Sequence, residues 1–99
     1  MKFKLDKYNF SDRLLLFIAD IADFNYAAKS VKRALFYAAG HPSMLKHRKW
    51  VMQYIENKKK RQSLYATLYS LRKWKFIKLI KKKNSIGFLL TEKGKERLF

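Results

Sequence analysis

The chain has 99 residues, enough for one domain, and its 48% hydrophobic residues are typical of globular rather than disordered proteins. It contains no cysteine, which excludes disulfide bonds, thiolate catalysis and cysteine-ligated zinc or iron–sulfur sites. The formal net charge is +17, and because residues 1–23 hold as many acids as bases, residues 24–99 carry all of it. Charge of this density destabilises a compact fold and is relieved by a polyanionic partner, so we expect one.

The N-terminal segment, residues 1–10, alternates apolar and basic side chains, which indicates a short strand or an ordered arm. The first helix is expected from Ser11 and Asp12, whose side-chain oxygens can cap free N–H groups, to about Phe24. Its apolar residues recur with a period near 3.6, which is typical of an amphipathic helix. Asn25 can adopt the left-handed conformation that ends a helix.

Two further helices are expected in the middle of the chain. The first runs over Tyr26–Ala39, with Gly40 as the residue after its end. The second starts behind a capping Ser43 and covers Met44 to about Asn57. Lys58–Lys60 then forms the connection to a fourth helix.

The fourth helix, Gln62–Trp74, has the clearest pattern. Leu64, Leu68 and Leu71 are spaced i, i+4 and i+7, so they lie on one side of a helix and define its buried direction.

The period then changes from helix to strand. Phe76–Ile80 and Ile86–Leu90 are predicted strands, joined by a basic turn at residues Lys81–Ser85 to make a hairpin. Thr91 can cap a last short helix, Glu92–Phe99.

This order of elements predicts a mainly α fold with a β-hairpin. Four helices, a two-stranded wing and a short C-terminal helix form a single winged helix-turn-helix domain over residues 1–99. In such a domain the helix before the hairpin lies in the major groove of DNA, which is wide enough for one α-helix.

Helical geometry then selects the side chains that face away from the three leucines. Gln62 can make a paired hydrogen bond to adenine, and Ala66 can contact a thymine methyl group. Hydroxyl and basic side chains can form hydrogen bonds to phosphates or base edges, and the basic turn can contact the DNA backbone. The candidate DNA-binding residues are Lys58, Lys59, Lys60, Arg61, Gln62, Ser63, Ala66, Tyr69, Ser70, Lys73, Lys81, Lys82, Lys83, Asn84 and Ser85.

The segment from residue 43 to residue 99 resembles the winged-helix domain of the PadR-like and PaaX-like transcriptional regulators. The resemblance rests on Ser63-Leu64-Tyr65, Leu68, Leu71-Arg72-Lys73, Phe76-Ile77 and Leu90-Thr91-Glu92-Lys93-Gly94. It implies a homodimeric repressor that binds an operator in duplex DNA.

Two features differ from that family pattern. Lys75 stands where the family usually has a glycine between the helix and the first strand, so strain or a different helix end is expected there. The families also carry C-terminal regions for dimerisation or effector binding, and this sequence ends at Phe99 without a counterpart to them. We expect the dimer contact in the N-terminal third, because its positive and negative charges cancel and repulsion between two copies is least there.

An enzyme is not expected. His41 and His47 have no carboxylate close in sequence and are predicted to be polar surface residues. Asp20 and Asp23 lie three residues apart, and a solvated helix face explains them better than a metal site does. No glycine-rich phosphate loop occurs, so neither a cofactor nor a metal is expected.

Two alternatives to a regulator remain open at this point. An RNA-binding protein, including a ribonucleoprotein or CRISPR-type accessory subunit, would stack bases on Tyr65, Tyr69, Trp74 and Phe76, although core packing is preferred for Tyr65 and Phe76. An architectural, chromatin-like protein would use the charge without reading sequence. Membrane binding is not expected because the most apolar helix is acidic on its polar side. A prokaryotic cytoplasmic protein located at the nucleoid is therefore expected.

Overall fold

The computed structural model describes residues 9–21, 25–26 and 30–98. Within these ranges, five helices and three strands follow one another in the order α1, β1, α2, α3, α4, β2, β3, α5. Their bounds are α1 Phe10–Ile21, β1 Asn25–Tyr26, α2 Val31–Gly40, α3 Leu45–Glu56, α4 Lys58–Lys73, β2 Ile77–Lys82, β3 Ser85–Leu90 and α5 Glu92–Leu98, with a 3₁₀ turn at Pro42–Met44 between α2 and α3. The expected mainly helical chain with an antiparallel hairpin is confirmed.

The first helix is the centre of the core. Leu14, Leu15, Phe17 and Ile18 of α1 have no exposed surface, because the sheet, α4 and α5 pack around this helix. Its start is Phe10 rather than Ser11, since Asn9 is the cap: Asn9 Oδ1 accepts a hydrogen bond from the backbone N–H of Asp12 at 2.8 Å. The expected end at Phe24 lies outside the described residues.

A third strand replaces the predicted start of the second helix. Asn25 and Tyr26 form β1, which pairs antiparallel with Gly87 and Ile86 of β3, so the sheet has the order β1-β3-β2. The prediction of a helix from Tyr26 and of a left-handed Asn25 was therefore wrong. Pairing with a strand that is distant in the sequence outweighs the local preference for helix. The spacing of apolar residues cannot indicate such a long-range partner.

Helix α2 instead begins after Ser30, whose Oγ accepts a hydrogen bond from the backbone N–H of Arg33 at 3.2 Å. Gly40 is the last residue of α2 and does not have a positive φ, so the predicted left-handed glycine is not present. Ser43 does not cap α3 either: it belongs to the 3₁₀ turn, where His41 Nδ1 accepts from its backbone N–H at 3.2 Å.

Helix α4 starts four residues earlier than expected. Asn57 ends α3 and caps α4, with its Oδ1 accepting from the backbone N–H of Lys60 at 3.1 Å. Lys58–Lys60 is thus the first turn of α4 and not a connecting loop. Lysine is disfavoured at a helix N-terminus, so the three lysines that follow Asn57 argued against a helix starting there.

The end of α4 is a Schellman motif built on a left-handed lysine. Lys75 has a φ of 65°, its backbone N–H bonds to Arg72 O at 3.0 Å, and the N–H of Phe76 bonds to Leu71 O at 2.9 Å. The expectation of strain at Lys75 is confirmed, because a side chain with a β-carbon is disfavoured in this conformation.

Thr91 and Gly94 then fix α5 against this turn. Thr91 Oγ1 lies 2.6 Å from Lys75 O, to which it donates, and accepts from the backbone N–H of Gly94 at 3.1 Å, so the predicted cap is confirmed. A β-carbon at Gly94 would collide with Phe76 O and the side chain of Leu90. The glycine is therefore required for α5 to lie close to the junction of α4 and β2. The hairpin that follows α4 is held in place by the same contacts.

One buried polar network joins α1 to α3. His47 has no exposed surface; its Nε2 donates to Asp20 Oδ2 at 2.7 Å, and its Nδ1 accepts from Trp50 Nε1 at 3.2 Å. The prediction that His47 is a surface residue without a carboxylate was wrong. Asp20 is 27 residues away along the chain, and only folding brings the two together.

The two hydrogen bonds fit the neutral imidazole with its proton on Nε2. Burial, which penalises the charged form, lowers the pKa of His47 below its ordinary value, and the hydrogen bond to Asp20 offsets only part of that effect. A proton added to Nδ1 would also face the indole N–H of Trp50.

No helix in the described ranges is long and apolar enough to cross a membrane.

Replacing Lys75 with glycine is expected to raise the free energy of unfolding by about 1 kcal/mol, because glycine adopts the left-handed conformation without steric cost. Denaturant unfolding followed by circular dichroism measures the change. The matched control is Lys73→Gly, two residues earlier inside α4, which should lower stability by about 1 kcal/mol. Equal losses in both variants would contradict the assignment of the helix end.

The His47 network makes stability depend on pH with a defined sign. The unfolded histidine has the higher pKa, so it binds more protons than the folded one, and the free energy of unfolding should fall as pH drops below about 6.5 until the folded pKa is reached. The slope is at most about 1.4 kcal/mol per pH unit for one proton. It is measured as the difference between the wild type and His47→Gln in urea unfolding, and an NMR titration of the wild-type imidazole reports the same pKa without a substitution. A His47 pKa above the ordinary value would refute this account.

Candidate nucleic-acid interface

Helix α4 has one face in the core and the opposite face in solvent. Leu64, Leu68 and Leu71 are at most 5% exposed, which confirms the buried direction that the leucine spacing predicts. At about 100° per residue, the positions opposite these leucines recur every three or four residues. The exposed residues on that side are Lys59, Gln62, Ala66, Tyr69 and Lys73, with Ser63 exposed at the flank and Ser70 half-buried.

The first turn of α4 is basic and exposed. Lys58, Lys59 and Lys60 place three positive charges at the end of the helix where the backbone dipole is also positive, an arrangement that costs stability. Free backbone N–H groups and positive charge at one helix end favour a negatively charged partner.

Arg61 has a structural partner as well as a charge. Its Nη1 donates to the backbone oxygen of Ile55 at 3.1 Å, so the guanidinium satisfies one of the carbonyl groups at the end of α3. This contact fixes the angle between α3 and α4, and the side chain is half-buried.

The hairpin carries its lysines on both faces. Lys81 and Lys82 are the last residues of β2, opposite Ile86 and Ser85 of β3, and the turn itself is residues 83–84. The predicted turn of five residues is therefore shorter in the structure. Because successive strand residues point to opposite faces, Lys81 and Lys82 project to different sides of the sheet. The three lysines and Asn84 are exposed, and Ser85 is half-buried.

Together, α4 and the hairpin belong to one stretch of the chain without acidic residues. Between Glu56 and Glu92 no aspartate or glutamate occurs. The bases of this stretch are Lys58, Lys59, Lys60, Arg61, Arg72, Lys73, Lys75, Lys78, Lys81, Lys82 and Lys83. No basic side chain in this stretch can therefore pair with an acid from the same stretch. Helix α4 and the hairpin, which adjoin each other, form a positive surface.

A groove of about 520 Å³ separates α4 from β2. Tyr69, Arg72 and Lys73 line one wall, and residues 77–80 of β2 line the other. Arg72 and Lys78 are exposed basic residues of this groove that the sequence analysis did not select. The three buried leucines predict that Arg72 lies on the flank of α4. That Arg72 and Lys78 line the same groove depends on where the hairpin lies beside α4.

The four aromatic residues considered for base stacking divide into two pairs. Tyr65 and Tyr69 line one pocket with Arg72, whereas Trp74 and Phe76 line another with Lys93. Tyr65 is 36% exposed, so the prediction that it packs in the core was wrong: it lies one residue, or about 100° of helix rotation, beyond buried Leu64. Phe76 is half-buried and packs against the core as expected.

Within residues 9–21, 25–26 and 30–98, no group of three His, Cys, Asp or Glu side chains is arranged to hold a metal ion. Asp20 is bound by His47 and, at 3.2 Å, by Lys46 Nζ. Asp23 lies outside the described residues.

Comparisons with protein-family models, with curated proteins and with solved structures found no match to this chain.

Proposed function

We propose that this protein binds duplex DNA as a winged-helix transcriptional regulator, with α4 in the major groove and the hairpin on the sugar–phosphate backbone. The observation that supports this most directly is the exposed polar face of α4 within a stretch that has eleven bases and no acids. We also propose that it acts as a repressor and is related to the PadR-like and PaaX-like regulators.

The face of α4 has the chemistry that base reading requires. Gln62 offers a donor and an acceptor for an adenine edge, Ala66 is small enough to permit close approach, and Tyr69 projects with 65% of its surface exposed. Lysines at both ends of the face suit the flanking phosphates.

The element order supports the winged-helix architecture. In a winged-helix domain a hairpin directly follows the helix that enters the major groove, and in this chain β2 and β3 directly follow the exposed helix α4. The strand β1, which the sequence did not predict, pairs with β3 and gives the sheet the order β1-β3-β2. The Schellman turn at Lys75 and the close contact at Gly94 set the direction in which the hairpin leaves α4.

The separation of the aromatic pairs favours duplex DNA over single-stranded RNA. A single strand is bound by successive bases stacked on aromatic rings along one track. Here Tyr65 and Tyr69 line a different pocket from Trp74 and Phe76, so the four rings do not form one platform.

Two variants separate the two kinds of contact. Replacing Lys81, Lys82 and Lys83 together with alanine should weaken binding to every duplex and reduce the salt slope by up to about three ions, because phosphate contacts release counterions. Gln62→Ala should leave the salt slope unchanged and cost about 1–3 kcal/mol at one base position. Fluorescence anisotropy over a salt series, with duplexes obtained by selection from a random library, measures both.

Each variant is the control of the other. A triple lysine variant with the wild-type salt slope would contradict the hairpin assignment, and a Gln62→Ala protein with unchanged base preference would contradict the assignment of α4.

We further propose that the protein acts as a homodimer through α2 and the turn that follows it. Residues 34–45 contain no charged side chain, although they leave Phe36 47%, Tyr37 41% and Leu45 67% exposed. Two copies of a chain with a net charge of +17 repel each other less across such an uncharged segment, and the exposed bases Lys32 and Arg33 lie one turn earlier on α2. The N-terminal third, where the dimer contact is expected from charge balance, is described only from residue 9, and α1 within it is largely covered by the core.

Sedimentation velocity at micromolar concentration is expected to give a dimer for the wild type and a monomer for Phe36→Glu/Tyr37→Glu, because a buried carboxylate without a partner opposes association. The control is Leu89→Glu, which alters an apolar side chain of comparable exposure on the sheet and should leave the dimer intact. A wild-type monomer would refute the dimer while leaving DNA binding open to its own test.

A further inference from the structure

The groove between α4 and β2 brings together three basic side chains from two different elements. Arg72 and Lys73 come from the last turn of the helix, and Lys78 comes from the strand that leaves the Schellman turn. All three are exposed. No salt bridge found among the described residues involves any of them.

Helix stability explains only part of this arrangement. Basic residues in the last turn complement the negative end of the helix dipole, which accounts for Arg72 and Lys73. Lys78 is on a strand and gains nothing from that dipole. Its charge adds repulsion in the groove, and an anion lying between helix and strand would relieve it.

The rest of the lining fits a sugar–phosphate chain better than a free small anion. Half-buried Leu79 and exposed Ile80 give β2 apolar surface at this groove, whereas Ile77 is buried, and Tyr69 contributes a ring and a hydroxyl on the α4 side. Deoxyribose offers carbon surface to such a wall, while the phosphates on either side of it require the cations. Ile80 is 39% exposed, so this apolar surface is available to a ligand.

We propose that this groove is a phosphate-backbone site, in which Arg72, Lys73 and Lys78 bind consecutive phosphates of one DNA strand while Tyr69 and β2 contact the sugars between them. The inference rests on the proposed duplex binding and deepens it: β2 contacts the backbone along its length, in addition to the lysines near the turn.

The test compares two double variants in the full chain. Arg72→Gln/Lys78→Gln removes two charges from the groove, and Lys49→Gln/Lys95→Gln removes two exposed charges from α3 and α5. Net charge is therefore lowered equally in both. Binding to one 20-base-pair duplex is measured over a salt series, and hydroxyl-radical footprinting locates the protected sugars. Thermal unfolding confirms that both variants are folded.

The groove variant is expected to lower the salt slope by about two ions and to lose protection at one short run of sugars, while the control variant lowers it by less than half an ion. Equal slopes and footprints for the two variants, with normal wild-type binding, would overturn the groove site and leave the proposed function standing. A wild type that binds no duplex at low salt would overturn both.

Discussion

The burial of three leucines on one side of α4 is the constraint on which the rest of the molecule depends. Leu64, Leu68 and Leu71 pack into the core formed around α1, and burying each leucine side chain stabilises the fold by about 1.5–3 kcal/mol. Rotating the helix would expose them and bury its lysines. The direction in which Gln62 and Tyr69 project is thus a consequence of core packing.

The surface opposite that core has an electrostatic cost. Lysines at the N-terminal turn of α4 oppose the helix dipole, and those of the hairpin lie on both sides of a small sheet. Asn57 and Arg61 offset part of the cost by satisfying backbone groups at the joint between α3 and α4. The polyanionic partner that we propose would relieve the repulsion on this surface, which contains no acids over residues 57–91.

Sequence patterns predicted the parts of this structure that depend on local periodicity. The leucine spacing gave the orientation of α4, the change of period located the hairpin, and Thr91 was recognised as a cap. The parts that were missed depend on contacts between distant residues. Pairing of Tyr26 with Ile86 and the bond of His47 to Asp20 have no local signal, and the lining of one groove by Arg72 and Lys78 depends on where the hairpin lies beside α4. Asparagine is a favoured N-cap residue, as Asn9 and Asn57 show. Ser11 is an equally good cap two residues after Asn9, and the lysines after Asn57 are disfavoured at a helix start, so residue type alone does not locate these caps.

A competition titration tests the central claim most directly. Wild-type protein bound to a labelled duplex at low ionic strength is challenged with unlabelled duplex DNA or with single-stranded RNA of equal phosphate content. The proposed fit of α4 to the major groove predicts that duplex DNA displaces the label at a concentration at least tenfold lower than the RNA, corresponding to about 1.4 kcal/mol or more. Equal displacement by both, or stronger displacement by RNA, would contradict it.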